Sequence, residues 1–253
     1  GRQIQESETA LAAADEASSP ATPSFKISDD GHMSDPPPTD APAAEEPEKA
    51  APPKYLPLEK VESEIRRTLE ANRMTDGVHL RLTLTRGVKI TSGMDPRLNR
   101  SGPTLIVLAE HKPPVYDKGG LSLITSSVRR FPPDCLDPKI HHCNLIQSIL
   151  AKIEANAAGA DDAVMLDMRG FVAETNATHL FAVLDGRVET SRLVACPEGI
   201  TRAAVLDICR EQRIPHAERD ISLAEFHRAD EVFCSGTMGE LAAVVEIDGR
   251  TIG

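Results

Sequence analysis

Three short motifs in the last third of this chain constrain its fold more than any other feature of the sequence. They are Gly170-Phe-Val-Ala-Glu-Thr-Asn176, Gly199-Ile-Thr-Arg202 and Ser235-Gly-Thr-Met-Gly-Glu240. Each places an acidic or small hydroxyl residue at the edge of a predicted strand or at the start of a predicted helix. At such places a carboxylate and free backbone N–H groups can hold a charged ring and a phosphate.

The sequence around these motifs predicts a mixed α/β fold with many antiparallel hairpins. Apolar residues at three- and four-residue spacing predict helices over residues 58–72, 145–156, 201–213 and 223–228. Alternating or continuous apolar runs predict strands over residues 78–86, 104–109, 121–127, 163–167, 171–174, 179–184, 187–190, 231–234 and 243–247. In the second helix, the pattern predicts that Ile149, Leu150 and Ile153 face the core.

Residues 1–53 differ in composition from the rest of the chain. They contain eleven acidic and three basic residues, nine of the nineteen prolines and a single aromatic residue, Phe25. Such a segment cannot bury enough apolar surface to offset the entropy of ordering, so we predict that it is disordered. It carries −8 of the net charge of −11, which leaves residues 54–253 near −3. This near-neutral remainder gives no electrostatic reason to expect a nucleic acid or an anionic membrane as partner.

Segments that would direct the chain to a membrane or a secretory route are not evident in the sequence. No apolar run approaches the ~20 residues that a membrane-spanning helix needs, and the acidic N-terminus lacks an apolar signal core. The five cysteines are odd in number and widely spaced, which favours a reducing compartment over a disulfide framework. We therefore expect a cytoplasmic or a plastid or other organellar location, between which the N-terminus does not decide.

Taken one at a time, the motifs have ordinary structural explanations as well as functional ones. Glu174 at a strand end is suited to pair with a cationic ring, but it is equally typical of a solvated carboxylate. Thr201, at a helix start, can bind an anion together with the free N–H groups or simply cap the helix. The Ser235-Gly-Thr237 turn can expose N–H groups to a phosphate or be only a tight turn.

The order and spacing of the three motifs resemble the class IV, fold type IV, pyridoxal-phosphate (PLP) aminotransferases, the family of branched-chain and D-amino-acid aminotransferases. The resemblance runs from about residue 54 to 253 and includes further blocks: Thr83-Leu-Thr-Arg-Gly87, Thr125-Ser-Ser-Val-Arg-Arg130, Ile149-Leu-Ala-Lys-Ile-Glu-Ala155, Asp230-Glu-Val-Phe233 and Val244-Val-Glu-Ile-Asp-Gly249. It implies the α/β fold of D-amino-acid aminotransferase. Residues 54–120 would form part of a small domain and residues 121–253 the larger cofactor domain, truncated relative to the family at both ends.

The resemblance also implies roles for individual residues. Cofactor binding would fall on Glu174 at the pyridine nitrogen, and on Ile200, Thr201 and Thr237 at the phosphate. The backbone at Met238 and Gly239 would meet the substrate carboxylate, and Arg81 falls where the family has a substrate-side arginine. For Arg81, a solvated strand arginine is the alternative.

The lysine that bonds the cofactor in the family is the point at which this sequence departs. Without gaps, its position falls on His141, in the run Asp137-Pro-Lys-Ile-His-His-Cys-Asn144. Lys139 lies two residues earlier. In an extended segment, residues i and i+2 point to the same side about 6.5 Å apart, so we predict that a shift of the segment brings Lys139 to the cofactor; its alternative is a surface lysine. Adjacent histidines on a strand point to opposite faces and chelate poorly, so His141-His-Cys143 does not predict a metal site.

The function that the resemblance implies is transfer of an amino group from a branched-chain amino acid to 2-oxoglutarate with PLP as cofactor. A homodimer is implied as well, because relatives place their site near a subunit interface. Two alternatives remain open at this point. One is an aminodeoxychorismate-lyase-like PLP enzyme, and the other is a catalytically inactive PLP-fold protein, which His141 at the lysine position favours.

Overall fold

The computed structural model of the protein describes residues 56–113, 115–116 and 119–253. The segment predicted to be disordered, residues 1–53, lies outside this range. Within it, no helix combines the length and the apolar character that crossing a bilayer requires. The division of residues 54–253 into two domains at residue 120 stays a prediction.

The first described elements are a helix and a two-stranded antiparallel sheet. Helix α1 spans Leu58–Asn72, as its apolar spacing predicts, and ends at Arg73 in the left-handed conformation. Strands β1 (Val78–Thr85) and β2 (Thr104–His111) pair along their whole length, and α1 contacts β2. The alternation predicted for β1 is confirmed, because its leucines share one face of this sheet.

A larger sheet contains the remaining strands of the described chain. These are β3 (Leu121–Thr125), β4 (Asp162–Leu166), β5 (Val172–Thr175), β6 (His179–Leu184), β7 (Arg187–Ser191), β8 (His216–Arg219), β9 (Glu231–Gly236), β10 (Glu240–Ile247) and β11 (Arg250–Thr251). Their order is β5-β4-β3-β10-β9-β6-β7-β8, with β11 on β10. The β3–β4, β3–β10 and β7–β8 pairs are parallel and the others are antiparallel. The predicted mixed α/β fold with many antiparallel hairpins is confirmed, although no apolar pattern in the sequence predicts β8.

Four helices accompany this sheet in the described chain: α2 (Pro133–Leu136), α3 (Ile146–Ala158), α4 (Ile200–Glu211) and α5 (Leu223–Phe226). The prediction for the inward face of α3 is wrong. Ile149, Leu150 and Ile153 are 53%, 45% and 55% exposed, whereas the buried residues of α3 are Gln147, Ala151 and Ala155. Because small side chains allow a helix to approach a sheet closely, α3 packs through its alanines and leaves its large residues outside.

The larger sheet curls so that β5, the strand at one end of its order, lies near strands of its other half. β5, at one end of the strand order, also contacts β6 and β7, and the Ser191 hydroxyl on β7 donates a hydrogen bond to the Val172 carbonyl on β5. A tight connection from Thr175 to Thr178 joins β5 to β6, closed by a hydrogen bond of 2.8 Å between the Thr175 N–H and the Thr178 carbonyl. The end of β5 and the start of β6 therefore meet, and this junction positions the candidate site.

Candidate functional site

Glu174 lies at the end of β5 and is buried, with 3% of its surface exposed. Its carboxylate forms an ion pair with Arg130, whose Nη2 lies 2.7 Å from Glu174 Oε1. The guanidinium also donates to the Thr175 carbonyl at 2.9 Å and to the Ser148 hydroxyl at 3.0 Å. Although Nη2 is close, Glu174 Oε1 accepts no well-aligned hydrogen bond from the described residues.

Burial governs the ionisation of Glu174. It raises the pKa of this carboxyl to about 8, and the charge of Arg130 opposes the rise only in part. A solvated strand-end carboxylate, the simpler explanation of Glu174, does not describe this environment. Arg130 was not among the predicted site residues, and its only signal in the sequence is its place in the Ser-Ser-Val-Arg-Arg block.

His179, the first residue of β6, connects the three motifs in space. Its ring is 7% exposed, and Nδ1 lies 4.0 Å from Glu174 Oε2. Its Nε2 lies so close to Gly199 that a Cβ at that position would clash with the ring, and its backbone pairs with Ser235 on β9. Sequence reasoning missed this residue, because a histidine beginning a strand carries no signal of its own.

The second motif forms the start of α4, where the structure leaves the first turn without a side-chain cap. Gly199 precedes the helix with φ of 68°, a left-handed value suited to glycine. Thr201 is half-buried, and Ile200 is 87% exposed. Arg202 is buried and donates hydrogen bonds to the Ser191 carbonyl at 2.8 Å and to Glu218 Oε2 at 2.6 Å. This anchor fixes α4 with its N-terminal N–H groups available to an anion.

The third motif forms the hairpin between β9 and β10. Ser235 is buried and its Oγ has no partner among the described residues, whereas Thr237 and Met238 are exposed. The ring of Tyr116 covers Gly239 so closely that a Cβ at this position would clash with Tyr116 Cδ2. The hairpin tip is thus held from one side by the segment around residue 116, whose Val115 N–H donates to the Met238 carbonyl at 3.3 Å.

The segment that carries Lys139 and His141 is not extended, and the i, i+2 geometry predicted for it is wrong. Residues Pro138–Ile140 form a short 3-10 helix, because Asp137 Oδ1 accepts the Lys139 N–H at 3.0 Å and proline favours the first helical position. His141 follows with φ of 51°. Both Lys139 and His141 are exposed. No cluster of metal-binding side chains occurs within the described ranges.

Cys196 is buried near the site. Burial and the charge of Glu174 raise the pKa of the Cys196 thiol to about 12, and the charges of Arg202, Arg130 and Lys139 oppose the rise.

Arg81 is not brought into this group. It is exposed on β1, opposite Leu108 of β2. No hydrogen bond or ion pair links it to Glu174, His179 or α4 in the part of the chain that the structure describes. Its predicted role at the substrate stays a prediction, and a solvated strand arginine fits its present surroundings.

The residues in place fit a ligand that has a basic ring nitrogen and a phosphate. The buried Oγ of Ser235 lacks a hydrogen-bond partner among the described residues, and buried polar atoms are rarely left so. The buried Glu174 carboxylate has Arg130 as its partner at Oε1 and can meet a cationic ring nitrogen. The uncapped start of α4 and the Ser235–Thr237 turn supply small residues and N–H groups for the anion. We name these two elements, Gly199–Thr201 and Ser235–Thr237, the phosphate cup.

Comparisons with known proteins agree with the fold. A family model described as "Amino-transferase class IV" matches residues 53–247. The chain is 57% identical over 196 residues to branched-chain-amino-acid aminotransferase-like protein 2 of Arabidopsis thaliana, covering 77% of this chain but only 35% of the relative. It is 40% identical over 200 residues to a putative branched-chain-amino-acid aminotransferase of Methanocaldococcus jannaschii, covering 78% of this chain and 68% of the relative.

A solved structure shares the same fold. A branched-chain amino acid aminotransferase from T.th., complexed with N-(5'-phosphopyridoxyl)-L-glutamate, is 34% identical with a TM-score of 0.70, covering 77% of this chain and 64% of that one. The predicted fold class, a PLP-dependent aminotransferase fold of type IV, is therefore confirmed. The chain spans about a third of the length of the plant relatives and about two thirds of the solved structure.

Proposed function

The chain belongs to the class IV aminotransferase family, and from that premise we propose that it binds PLP and transfers an amino group from a branched-chain amino acid to 2-oxoglutarate. The observation that carries the proposal is the buried Glu174, ion-paired with Arg130 and placed beside the phosphate cup. This arrangement supplies an acid for a ring nitrogen and an anion site on one side of the sheet.

The residues of this chain have distinct tasks in such a reaction. PLP, when bound, supplies an electron sink for the α-carbon of the substrate. Glu174 holds a proton at the ring nitrogen, and its burial strengthens that interaction by excluding water. Arg130 keeps the carboxylate in place. Ile200, Thr201 and Thr237 bind the phosphate and orient the ring, while Lys139 attaches the cofactor and moves the α-proton of the substrate.

The substrate assignment rests on the relatives. Both the M. jannaschii protein and the T.th. enzyme carry the name branched-chain amino acid aminotransferase, and the latter structure contains a phosphopyridoxyl group joined to glutamate. Glutamate is the aminated form of 2-oxoglutarate, which supports that acid as the amino acceptor. We assign substrate carboxylate binding to the backbone at Met238 and Gly239, and a substrate-side role to Arg81.

The decisive experiment asks which lysine bonds the cofactor. The protein is mixed with PLP, its absorbance is scanned before and after borohydride reduction, and the labelled peptide is mapped. We expect a single adduct on Lys139 and its loss in Lys139→Ala. The matched control is Lys60→Ala, because Lys60 is an exposed lysine on α1 whose one ion pair among the described residues is with Glu64, at 3.7 Å. An adduct on Lys152, or none at all, contradicts the assignment.

Activity then separates the alternatives. Glutamate formation from leucine and 2-oxoglutarate supports the transaminase, whereas pyruvate release from aminodeoxychorismate supports a lyase. A catalytically inactive PLP-binding protein is the second candidate, favoured by the exposed His141 at the position of the family's lysine. It predicts a reversible PLP complex that borohydride does not trap and that forms neither product.

We further propose that the protein forms a homodimer through α3. This helix and the residue before it expose large apolar residues, each about half exposed: Leu145, Ile146, Ile149, Leu150 and Ile153. Such an apolar row suits a twofold contact with its own copy. In sedimentation velocity, Ile149→Glu is expected to shift the protein to monomer. Ile208→Glu on α4, an equally exposed isoleucine at 53%, is the control and leaves the dimer intact.

A further inference from the structure

The His179 ring lies between Glu174 and Gly199 in the phosphate cup, and its backbone pairs with Ser235 in the cup's other part. Its Nδ1 faces Glu174 Oε2 at 4.0 Å, and its Nε2 faces Gly199, which opens α4. Because directly opposed residues of antiparallel strands share one face of a sheet, its side chain lies on the same face as that of Ser235. The three motifs thus meet at a single imidazole ring.

We propose that His179 is a positioning residue, which donates from Nδ1 to the Glu174 carboxylate and accepts at Nε2 from the start of α4. It thereby holds the acid for the ring nitrogen and the phosphate cup in one arrangement. The inference rests on the proposed function, in which Glu174 and the phosphate cup bind the same PLP molecule. His179 itself touches neither the substrate nor the reacting atoms, and it acts through Glu174 and Gly199.

The charges around the ring determine its protonation. Burial first, and then the charges of Arg202 and Arg130, together lower the pKa of His179 to about 4. Glu174 on β5 is the acidic group that faces it, Arg130 lies behind that carboxylate, Arg202 approaches from α4, and Ser235 on β9 is uncharged. The ring is therefore neutral near pH 7, with one nitrogen that donates and one that accepts.

The distances decide which nitrogen carries the proton. Nδ1 faces an oxygen of Glu174, which can only accept once this carboxyl is ionised, above its pKa of about 8. Nε2 faces the turn that begins α4, whose first N–H groups have no side-chain cap and seek an acceptor. A separation of 4.0 Å between Nδ1 and Oε2 exceeds hydrogen-bond length, so a small rotation of Glu174 or His179 completes the contact when the site is filled.

A matched pair of substitutions separates positioning from packing. Asparagine and leucine have similar size, but only asparagine retains a donor and an acceptor. The probe is pyridoxamine 5'-phosphate, which carries the ring nitrogen and the phosphate and needs no lysine. By isothermal titration, we expect His179→Asn to retain the affinity within about threefold and His179→Leu to lose about tenfold, the equivalent of one hydrogen bond of about 1.4 kcal/mol. Equal affinities in the two variants overturn the proposal.

A double-mutant cycle tests the contact with α4 directly. Alanine at Gly199 places a Cβ against His179 Nε2, so Gly199→Ala is expected to weaken probe binding strongly. In a His179→Ala background the clash disappears, and the added loss from Gly199→Ala is expected to fall severalfold. Gly186→Ala is the matched control: its φ of 73° imposes similar backbone strain, but nothing lies within 4 Å of the new Cβ. Additive effects of Gly199 and His179 contradict the contact.

A measurement on the ligand-free protein keeps this proposal separate from the proposed function. Nitrogen-15 NMR of the imidazoles, with His179 identified by its loss in His179→Asn, reports which nitrogen carries the proton. We expect a neutral ring with the proton on Nδ1 at pH 9, where Glu174 is ionised. A ring protonated at Nε2 alone, or charged at that pH, overturns the positioning role. If the wild-type protein binds no pyridoxamine 5'-phosphate, the proposed function fails, while the NMR result still decides the contact.

Discussion

The two sides of the candidate site differ in how firmly the fold holds them. On one side, Glu174, Arg130 and His179 are each less than a tenth exposed. Arg130 pairs with Glu174 and donates to the Thr175 carbonyl, and His179 Nδ1 lies 4.0 Å from Glu174. On the other side, Lys139 and His141 are exposed, in a short 3-10 helix that a left-handed residue ends. The buried side is preorganised for a charged ring, whereas the lysine segment has few contacts that would fix it.

This difference matters because the two sides have different requirements. An acid that controls ring ionisation must be desolvated and held by neighbours before the ligand arrives. A lysine that bonds a cofactor must instead move between attachment and proton transfer. An exposed segment that begins with a proline and has few tertiary contacts is free to make such a movement.

The strongest test of this difference between the two sides moves the lysine to another position in its segment. If the segment is adaptable, a lysine at residue 141 can replace the one at residue 139. We expect Lys139→Ala to abolish the borohydride-trapped PLP adduct, and the double variant Lys139→Ala with His141→Lys to recover it at residue 141. Mass spectrometry of the reduced peptide measures both outcomes. A double variant that forms no adduct at residue 141 would indicate that the segment is rigid.

The control for this experiment lies on the same segment. His142→Lys introduces a lysine one residue further along, at a half-buried position whose ring nitrogens are both enclosed by protein. Its side chain points inward rather than to solvent, so we expect no adduct at residue 142 in the Lys139→Ala background. Trapping at residues 141 and 142 alike would show only that any lysine nearby reacts.

The second prediction tests the buried side. Glu174→Gln removes the carboxylate and leaves Arg130 without its counter-charge. A hydrogen bond to a charged group contributes about 1.5–3 kcal/mol, so pyridoxamine 5'-phosphate should bind about 10–100-fold more weakly. Glu189→Gln is the matched control, because Glu189 is also buried and pairs with Arg219 on another part of the sheet. It should lower the stability of the fold and leave the affinity unchanged, and a similar loss of affinity in both variants would contradict a specific role for Glu174.

The two sides also differ in how far the sequence predicts them. The local sequence pattern was sufficient to predict α1 and most strands, because each of these segments has its own apolar periodicity. It failed for α3, where alanines rather than isoleucines face the sheet, since only the neighbouring strands decide how close a helix lies. The prediction of an extended segment at Lys139 was wrong, because Asp137 caps a 3-10 turn there.

The residues that sequence reasoning missed share one property. Arg130, His179 and Arg202 are polar residues that become buried only through contacts across the sheet. A polar residue next to a motif has the same local signature whether it is buried or solvated. Their partners, Glu174, Gly199 and Ser191, lie 44, 20 and 11 residues away along the chain, so no short window of sequence reveals them.

The third prediction uses the ionisation of His179. Its folded pKa of about 4 lies below the ordinary 6.5, so below pH 6.5 the unfolded chain takes up a proton that the folded chain does not. Folding stability due to this residue is therefore lost as the pH falls towards 4. Between pH 7 and pH 5 the loss amounts to about 2 kcal/mol.

Replacement of the ring tests that linkage. In urea unfolding, the free energy of unfolding of His179→Asn should fall by about 2 kcal/mol less than that of the wild type when the pH is lowered from 7 to 5. Exposed His111→Asn is the control and should follow the wild type. Glu174 contributes with the opposite sign, since its raised pKa makes the fold less stable as the pH rises from 4.5 towards about 8. If the free energy of unfolding falls equally with decreasing pH in His179→Asn and in the wild type, the ring ionises normally.

The smallest effect expected concerns the cysteines, two of which lie on the exposed side. Cys135 and Cys143 are exposed, whereas Cys196, Cys209 and Cys234 are buried. A thiol reagent should therefore label two residues in the native protein, because burial hinders access and raises the pKa of Cys196 and Cys234 to about 12. If PLP attaches at Lys139, it covers the neighbouring Cys143 and slows its labelling severalfold, while Cys135 on α2 is the internal control. Equal protection of both thiols would mean that PLP orders the whole segment instead of binding beside Lys139. The contrast between a fixed acid and a mobile lysine would then hold only for the ligand-free protein.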